Sequence, residues 1–226
     1  MNAGSIKEVR EINGKLRYNI LRVPKEVQMA SGIVVHGKRI KSLVFTTDLA
    51  IIKNCDADAV FAVYPFTPQQ SISDAIIKHS SMPVFCGVGG GTTKGLRTIS
   101  LAKDVECQGA WGVVLNAPIS NLNLKVVSEA IDIPTIVTVI SEDTDINARI
   151  NAGAAILNVA CGKDTPAIIR KIREIDDEIP IIATGGGDPE TIVETIKAGA
   201  NAITYTPPSI QDLFRTVMIG YRESLK

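Results

Sequence analysis

The sequence predicts an α/β protein that folds as a single (β/α)8 barrel, and three observations support this prediction. Eight short runs rich in valine and isoleucine lack clean alternation, which is typical of parallel strands buried on both faces. Successive runs begin 15 to 28 residues apart, enough for one strand and one crossover helix. A Gly-Gly-Gly triplet at residues 89–91 recurs at residues 185–187, which indicates two half-barrels of four strands. This repeat favours a closed barrel over the alternative, an open doubly wound sheet.

The eight runs define the predicted strands in chain order. They are Leu43–Thr47, Asp58–Tyr64, Pro83–Val88, Trp111–Asn116, Pro134–Ile140, Ala155–Ala160, Pro180–Thr184 and Ala202–Thr206. The third, fifth and seventh runs begin with proline, whereas the even-numbered runs follow turns of small residues. The segment that begins at Pro83 also matches the segment that begins at Pro180, with a slip of one residue.

Helix signals stand between the predicted strands. Four predicted helix starts combine a capping residue with a proline or with acidic residues in the first turn: Thr67-Pro68, Ser141–Asp143, Thr165-Pro166 and Asp188-Pro189. Two helix ends are predicted at Gly153 and Gly199, because a helix commonly ends with a left-handed residue. The strands and helices therefore alternate as a barrel requires.

The first 41 residues lie outside the repeat. Within them, Ile33–Val35 and Arg39–Lys41 flank a short turn and predict a small hairpin. We expect residues 1–41 to form a helix and hairpin cap over the bottom of the barrel, and residues 42–226 to form the barrel itself.

Composition excludes several classes of protein. The chain has 226 residues, 24 basic and 24 acidic, with 45% apolar residues and a mean hydropathy of +0.18, so it is not disordered. The zero net charge argues against nucleic-acid binding, and no apolar run approaches the length of a membrane span. Residues 1–10 lack the apolar core of a signal peptide. We expect a cytoplasmic protein whose partner is a small molecule, without nucleic-acid or membrane partners; a homodimer is left open.

The candidate site lies where the strands meet the loops that follow them, because barrel chemistry takes place at that end. Most residues there are hydroxyls, amides and glycines. Neither His36 nor His79 falls there, which argues against a histidine metal site and against histidine acid–base chemistry. The four cysteines have no metal-ligand spacing and are interpreted as reduced thiols. We therefore expect no metal.

The two glycine triplets are candidate phosphate sites. A phosphate needs converging backbone N–H groups and a close approach of the backbone, which glycine permits. The alternative for either triplet is a tight turn from strand to helix.

On these residues the chain resembles the phosphate-binding (β/α)8-barrel superfamily. The resemblance covers residues 179–206 and 82–91, and it is closest in layout to the isomerase and cyclase of histidine biosynthesis. It implies a phosphate at each glycine loop and a catalytic acid after the first strand, where this chain has Asp48. The second acidic position, after the fifth strand, has no clear match, although Ser141–Asp143 lie nearby. The chain also departs from these families at Thr206-Pro207-Pro208-Ser209, since proline cannot donate the N–H groups that a small pair supplies there.

Candidate site residues follow from position. Asp48 is the candidate general base and Lys163 its cationic partner; the alternatives are a helix cap and a solvated lysine. For Asn158 a ligand contact and a structural hydrogen bond are equally open. The candidate phosphate- and ligand-binding residues are Gly89, Gly90, Gly91, Lys94, Asn116, Thr138, Asn158, Thr184, Gly185, Gly186, Gly187, Thr206 and Ser209.

The function that these residues predict is an enzyme of the lyase or isomerase type acting on a phosphorylated or carboxylated metabolite. One alternative is a non-catalytic metabolite sensor, resembling the glycerol-3-phosphate-responsive antiterminator type. Another is an FMN-dependent oxidoreductase, since residues 151–206 resemble those barrels. No cofactor is predicted, and FMN enters only with that last alternative. The scaffold alone does not decide among them.

Overall fold

The computed structural model describes residue 12, residues 20–184 and residues 188–224. The strands are β1 (Ile33–Val35), β2 (Lys38–Ile40), β3 (Ser42–Phe45), β4 (Ala59–Ala62), β5 (Val84–Gly89), β6 (Gly112–Leu115), β7 (Thr135–Val139), β8 (Ile156–Val159), β9 (Ile181–Thr184) and β10 (Ala202–Tyr205). The α-helices are α1 (Leu49–Lys53), α2 (Gln70–His79), α3 (Leu96–Gln108), α4 (Asn121–Ala130), α5 (Ile146–Asn151), α6 (Thr165–Ile175), α7 (Pro189–Lys197) and α8 (Ile210–Glu223). Two short 3-10 helices span Lys25–Met29 and Gly162–Asp164.

Strands β3 to β10 close into a barrel, which confirms the predicted fold. Each strand pairs in parallel with its neighbour in sequence, and β10 returns to pair with β3 through Ile203 opposite Ser42. This last pairing excludes the open sheet. The two strands that precede the glycine triplets, β5 and β9, stand four places apart in the ring of eight and so lie on opposite sides. The sequence repeat therefore corresponds to the two halves of the barrel.

Most of the strands are shorter than predicted. The second barrel strand, for example, was expected over Asp58–Tyr64 and spans Ala59–Ala62. The apolar runs extend beyond the ladder because the residues at their ends still pack against the interior cluster, as Val63 does, after strand pairing has stopped. The hairpin likewise shifts by one residue, since its second strand is Lys38–Ile40 instead of Arg39–Lys41.

Two predicted helix starts are wrong. Helix α2 begins at Gln70 and not at Thr67-Pro68, and the hydroxyl of Tyr64 accepts a hydrogen bond from the backbone N–H of Gln69 at its start. Helix α5 begins at Ile146, where the capping carboxylate belongs to Asp145. The predicted cap at Ser141–Asp143 instead closes a local turn in which Asp143 N donates to Ser141 Oγ.

Other helix boundaries follow the sequence signals. Asp188 caps α7, and its side chain accepts from the backbone N–H of Thr191. Helix α6 begins at Thr165, which was predicted as its cap. Pro166 is therefore the second helical residue instead of the first. Gly153 and Gly199 follow α5 and α7 with φ of 100° and 116°, the left-handed region where a side chain is strained.

Two apolar layers hold the barrel together. The interior layer includes Leu43, Phe61, Phe85, Ile136 and Ile182, all buried. The outer layer, between strands and helices, contains the side chains that point the other way from the same strands, because successive residues of a strand face opposite sides. Every barrel strand is therefore apolar on both faces, as the lack of alternation in the sequence predicted.

The hairpin β1–β2 closes the amino-terminal end of the barrel. Ile33, Val35 and Ile40 belong to the same buried cluster as the interior side chains of the barrel strands. The turn residues His36 and Gly37 both have positive φ, 46° and 78°, which matches the two-residue turn favoured in tight hairpins. Of the predicted cap, residues 1–11 and 13–19 lie outside the described residues.

Helix α8 differs from the other seven described α-helices. Each of α1 to α7 contains at least one buried residue, whereas α8 contains none. Its exposed apolar residues include Phe214, with 69% of its surface accessible. Within the described chain, no helix has the length and apolar character needed to cross a bilayer.

Candidate functional site

Five neighbouring strands place polar side chains at the carboxyl-terminal end of the barrel interior. Each of these residues stands two positions after an apolar member of the interior cluster, within the same strand or, for Asn116, directly after it, so it faces the same way. We call this set the polar arc; running from β6 to β10, it consists of Asn116, Thr138, Asn158, Thr184 and Thr204.

Four members of the polar arc form one hydrogen-bonded chain. Thr184 Oγ1 donates to Asn158 Oδ1 over 2.7 Å, and Asn158 Nδ2 donates to Thr138 Oγ1 over 3.3 Å. Thr138 Oγ1 then donates to Asn116 Oδ1 over 3.1 Å. Because a hydroxyl carries one proton, all three donations run in the same direction, from β9 towards β6. The four residues were predicted individually as ligand contacts, and the structure shows them joined side by side.

Thr204 completes the polar arc but has no partner in it. Its side chain is 3% exposed and stands in register with Thr184 on the neighbouring strand β9. Among the described residues, its Oγ1 is one of two buried side-chain oxygen or nitrogen atoms without a hydrogen-bond partner; the other, Gln108 Oε1, belongs to α3. A buried hydroxyl without a partner is destabilising by about 1–3 kcal/mol.

The sequence places Thr204 at the carboxyl-terminal end of its strand but does not select it as a candidate ligand-binding residue. Threonine is a favoured strand residue, so it does not interrupt the apolar run of β10 in the way that Asn158 interrupts β8. The available signal was periodicity: Thr204 follows Ala202 by two residues, as Thr184 follows Ile182. Thr206, which was predicted instead, is exposed.

The remaining three strands present no polar side chain at this level. Phe45 follows Leu43 in β3, and Val63 follows Phe61 just after β4; both pack against the interior cluster. In β5 the equivalent position is Gly87, where an added Cβ would lie 3.2 Å from Val63 Cγ2. We call Phe45, Val63 and Gly87 the apolar arc. The mouth of the barrel is thus polar over five strands and apolar over three.

A cavity of about 280 Å³ opens where the two arcs meet. Asn116 contributes from the polar arc, and Val63 and Gly87 contribute from the apolar arc. The rest of its wall comes from the loop after β4, at residues 64–68, from the first glycine loop, at residues 89–93, and from Ala117. The cavity therefore brings the predicted glycine loop and one end of the hydrogen-bonded chain to the same place.

The first glycine loop is a tight turn whose N–H groups are already used. Gly90 N donates to Thr93 O over 2.9 Å, and Gly91 N donates to Pro118 O over 3.0 Å. Gly90 has a φ of 115°, and an added Cβ would lie 2.2 Å from the carbonyl oxygen of Asn116. Close packing against Asn116 therefore accounts for Gly90. Phosphate binding at Gly89–Gly91 stays a prediction, and it requires donors other than these two groups.

The other predicted contacts lie at the rim of the mouth or outside the described residues. The second triplet, Gly185–Gly187, lies outside the described residues. Lys94 is exposed directly after the first glycine loop. Ser209 caps α8, since its Oγ accepts from Asp212 N and donates to Asp212 Oδ2. A ligand contact by Lys94 or Ser209 stays a prediction.

The predicted catalytic pair lies at the correct end of the barrel but is not in contact. Asp48 Oδ1 accepts from the backbone N–H groups of Ala50 and Ile51, over 2.7 and 3.1 Å, and so caps α1. Lys163 is exposed in the short helix after β8. The strands that precede the two residues, β3 and β8, are separated by β9 and β10, and the two side chains form no ion pair with each other. Their catalytic roles stay predictions.

The interior of the barrel is uncharged. The eight barrel strands, over the bounds given above, contain no Asp, Glu, Lys, Arg or His. Burial raises the pKa of the Cys86 thiol to about 12, and burial also raises the pKa of the Cys161 thiol, which follows β8. Both thiols are therefore protonated at neutral pH and poor nucleophiles. No group of three His, Cys, Asp or Glu residues that could hold a metal occurs in the described part of the chain.

Comparison with known proteins gives similarity at the level of the fold. No protein-family model matches the chain, and no curated protein sequence matches it. A phosphoenolpyruvate phosphomutase from Streptomyces platensis subsp. rosaceus has a TM-score of 0.64 at 12% identity, over 88% of this chain and 85% of that one. A dihydrodipicolinate synthase from Agrobacterium tumefaciens has a TM-score of 0.56 at 14% identity, over 80% and 71%. A phosphonopyruvate hydrolase in complex with oxalate and Mg²⁺ has a TM-score of 0.59 at 11% identity, over 82% and 80%.

These identities are too low to carry an activity across, so the similarity shows the barrel fold. They support the predicted (β/α)8 barrel, whereas the resemblance to the phosphate-binding barrel superfamily stays a prediction. The closer resemblance to the isomerase and cyclase of histidine biosynthesis stays a prediction.

Proposed function

We propose that the protein is an enzyme of the lyase or isomerase type that binds a small carboxylated or phosphorylated metabolite at the mouth of the barrel. The observation that carries the proposal is the hydrogen-bonded chain of Asn116, Thr138, Asn158 and Thr184, which reaches the 280 Å³ cavity through Asn116. The proteins with similar folds support it, because their names describe a phosphomutase, a synthase and a hydrolase.

The direction of the chain fixes what it offers to a ligand. The carbonyl oxygen of the Asn116 side chain is used by Thr138, so the Nδ2 group of Asn116 is the donor available towards the cavity. A donor held by buried neighbours needs little reorganisation when negative charge develops on a carbonyl oxygen of the substrate. Lyase and isomerase steps next to a carbonyl develop such charge. The polar arc would therefore orient the substrate and stabilise that oxygen.

Proton transfer has to come from the loops, since the strands contain no Asp, Glu, Lys, Arg or His. We assign it to Asp48, with Lys163 stabilising the developing charge. The capping role of Asp48 is compatible with this assignment, because its hydrogen bonds to Ala50 and Ile51 use Oδ1 and a carboxylate has a second oxygen. The proposal includes no metal and no FMN.

Ligand screening with matched variants tests the proposal. We expect pyruvate, oxalate, inorganic phosphate or a sugar phosphate to raise the melting temperature, since a ligand at 100 times its dissociation constant adds about 2.7 kcal/mol to the stability. Asn158→Ala should abolish most of this shift. Thr135→Val serves as the control: it alters β7 at its amino-terminal end and away from the mouth, so it should leave the ligand-induced shift intact.

Turnover decides between catalysis and binding alone. Asp48→Asn keeps a good capping residue, so it should fold normally while losing at least about a hundredfold in turnover. Wild-type turnover in a normally folded Asp48→Asn variant would remove Asp48 from the chemistry. A ligand-induced shift that Asn158→Ala does not change would count against the site itself.

A second candidate function is a non-catalytic metabolite sensor. The observation that favours it is that the eight strands contain no ionisable side chain other than the thiol of Cys86 and the phenol of Tyr205. A sensor would show the same ligand-induced stabilisation, lost in Asn158→Ala, without turnover of any ligand that binds. The two experiments above therefore separate the two candidates.

A further inference from the structure

Helix α8 presents an apolar stripe to solvent. Alone among the described α-helices it has no buried residue, and Phe214 and Tyr221 have 69% and 42% of their surfaces accessible. Residues three and four positions apart lie side by side on a helix, so Phe214, Met218 and Tyr221 share one side, which we call the α8 stripe. Leu213 stands on another side and packs against the outer apolar layer of the barrel. Most of the α8 stripe is therefore left accessible.

The surroundings of the stripe have the composition of a protein–protein interface. Arg215 and Arg222 line one surface groove together with Phe214 and Met218. Aromatic residues, methionine and arginine are the types enriched at interfaces, whereas lysine, glutamate and aspartate are depleted there. Methionine also adapts its shape to an opposing surface. A helix side that stays in water carries charged and polar residues instead.

The stripe is complementary to itself when two copies of α8 pack antiparallel. Phe214 and Arg222 lie four positions on either side of Met218, and Arg215 and Tyr221 lie three positions on either side of it. A two-fold axis at Met218 therefore places each Phe214 ring opposite Arg222 of the second copy, and each Tyr221 ring opposite Arg215. A guanidinium group packed on an aromatic ring is favourable. Such an interface is closed by two copies, because each contact occurs twice.

We propose that α8 forms the interface of a homodimer in which two copies of the helix pack antiparallel about Met218. This inference goes beyond the proposed function and does not rest on it. The helix has 14 residues and is about 21 Å long. Two such helices bury at most about 1,200 Å² in total, which is the low end of specific interfaces. We therefore expect a dissociation constant in the micromolar range and a measurable equilibrium between monomer and dimer.

Sedimentation equilibrium of the whole chain tests the proposal. The mass should rise from 24.2 kDa towards twice that value as the concentration increases through the micromolar range. Phe214→Arg places like charges opposite each other at two symmetric positions, so it should weaken the dimer at least about a hundredfold. Thr216→Arg is the matched control, because it adds the same charge at an exposed position of α8 on the side away from the stripe. It should leave the association unchanged.

Both variants should fold, since neither replaced side chain is buried, and circular dichroism with thermal unfolding checks this. Cross-linking then tests the antiparallel register. Met218→Cys places two thiols at the axis, so a bis-maleimide reagent that spans the about 8–10 Å between packed helices should link the two copies. Thr216→Cys should give no more product than the wild-type chain, whose exposed Cys107 sets the background.

Three results would overturn the inference. One is a wild-type chain that stays monomeric throughout the micromolar range. The second is a dimer that Phe214→Arg leaves unchanged or that Thr216→Cys links better than Met218→Cys, since the copies would then meet through another surface. The third is a monomeric chain that cosediments with vesicles of phosphatidylcholine and phosphatidylserine, which would assign the α8 stripe to a lipid surface. Ligand binding in the barrel is measured separately, so none of these results changes the standing of the proposed function.

Discussion

The two ends of the barrel interior can be compared strand by strand, because alternate residues of each strand point inward along its whole length. At the amino-terminal end, the interior receives Ile33, Val35 and Ile40 from the hairpin and packs them against the strands as a continuous apolar cluster. At the carboxyl-terminal end, two residues further along five of the strands, it holds the polar arc.

The comparison teaches where stability and selectivity come from. Apolar burial stabilises without direction, and it gains most where the interior is closed. Hydroxyls and amides gain little net stability but fix orientation, and they are costly when a partner is missing. The amino-terminal end therefore carries much of the energy of the fold, and the carboxyl-terminal end carries its chemical specificity.

The largest expected effect is at the amino-terminal end. Ile40 is fully buried in the interior cluster, so Ile40→Ala should lower the unfolding free energy by about 2–5 kcal/mol. Val34→Ala, on the outward face of the same hairpin and 58% exposed, should change it by less than about 0.5 kcal/mol. Chemical denaturation measures both. A loss of ligand affinity in folded Ile40→Ala, with little loss of stability, would contradict the assignment of stability to the amino-terminal end and of specificity to the carboxyl-terminal end.

An intermediate effect is expected at the first glycine loop. Gly90→Ala would place a Cβ 2.2 Å from the carbonyl oxygen of Asn116 at a φ of 115°, so the loop must shift, at a cost of about 1–3 kcal/mol. Gly91, with a φ of 60° and open space around its Cβ position, is the matched control, and Gly91→Ala should cost about 1 kcal/mol. Thermal unfolding compares the two variants. Equal losses would show that contact with Asn116 does not constrain this loop.

The smallest expected effect is at Asp48. Asp48→Ala removes the cap of α1 and should lower the unfolding free energy by about 1 kcal/mol. Asp48→Asn should have a smaller effect, because asparagine caps helices as well as aspartate does. Denaturation curves measure the stability of the two variants, and turnover assays measure their activity, so the capping role of Asp48 can be separated from its catalytic role. A turnover defect in Asp48→Ala that Asp48→Asn lacks would assign Asp48 a structural role at the mouth.

The sequence predicts the barrel well because the pattern of a short apolar run occurs eight times. Eight apolar runs at regular spacing, together with the glycine repeat, indicate closure even though each run alone misjudges its ends. The wrong helix starts at Thr67-Pro68 and Ser141–Asp143 have a common cause. Both sites form local turns or loops, and each helix begins further along the chain. Helix α2 begins after Gln69 without a side-chain cap, and α5 is capped by Asp145.

The candidate site is predicted less completely than the fold. Asn116, Thr138, Asn158 and Thr184 were named from position, and the register of parallel strands brings them into one chain. That chain could not be derived from sequence, because it depends on which rotamer each side chain adopts against its neighbours. Thr204, although it lies at the end of its strand, was not selected as a candidate, because threonine is a common strand residue and gives no signal of its own.

Barrel closure also has a consequence for the order in which the chain folds during synthesis. Strand β3 finds its second neighbour only when β10 is present, and Ile203 lies far along the chain from its partner Ser42. Asn201, just before β10, also bonds Ser31 through its side chain, so the hairpin too depends on a late segment. Ribosomes add about 5–20 residues per second, so the unpaired edge of β3 stays open for about 10–30 seconds as a template for misassociation. The nascent chain therefore needs protection at β3 for longer than at any interior strand of the barrel.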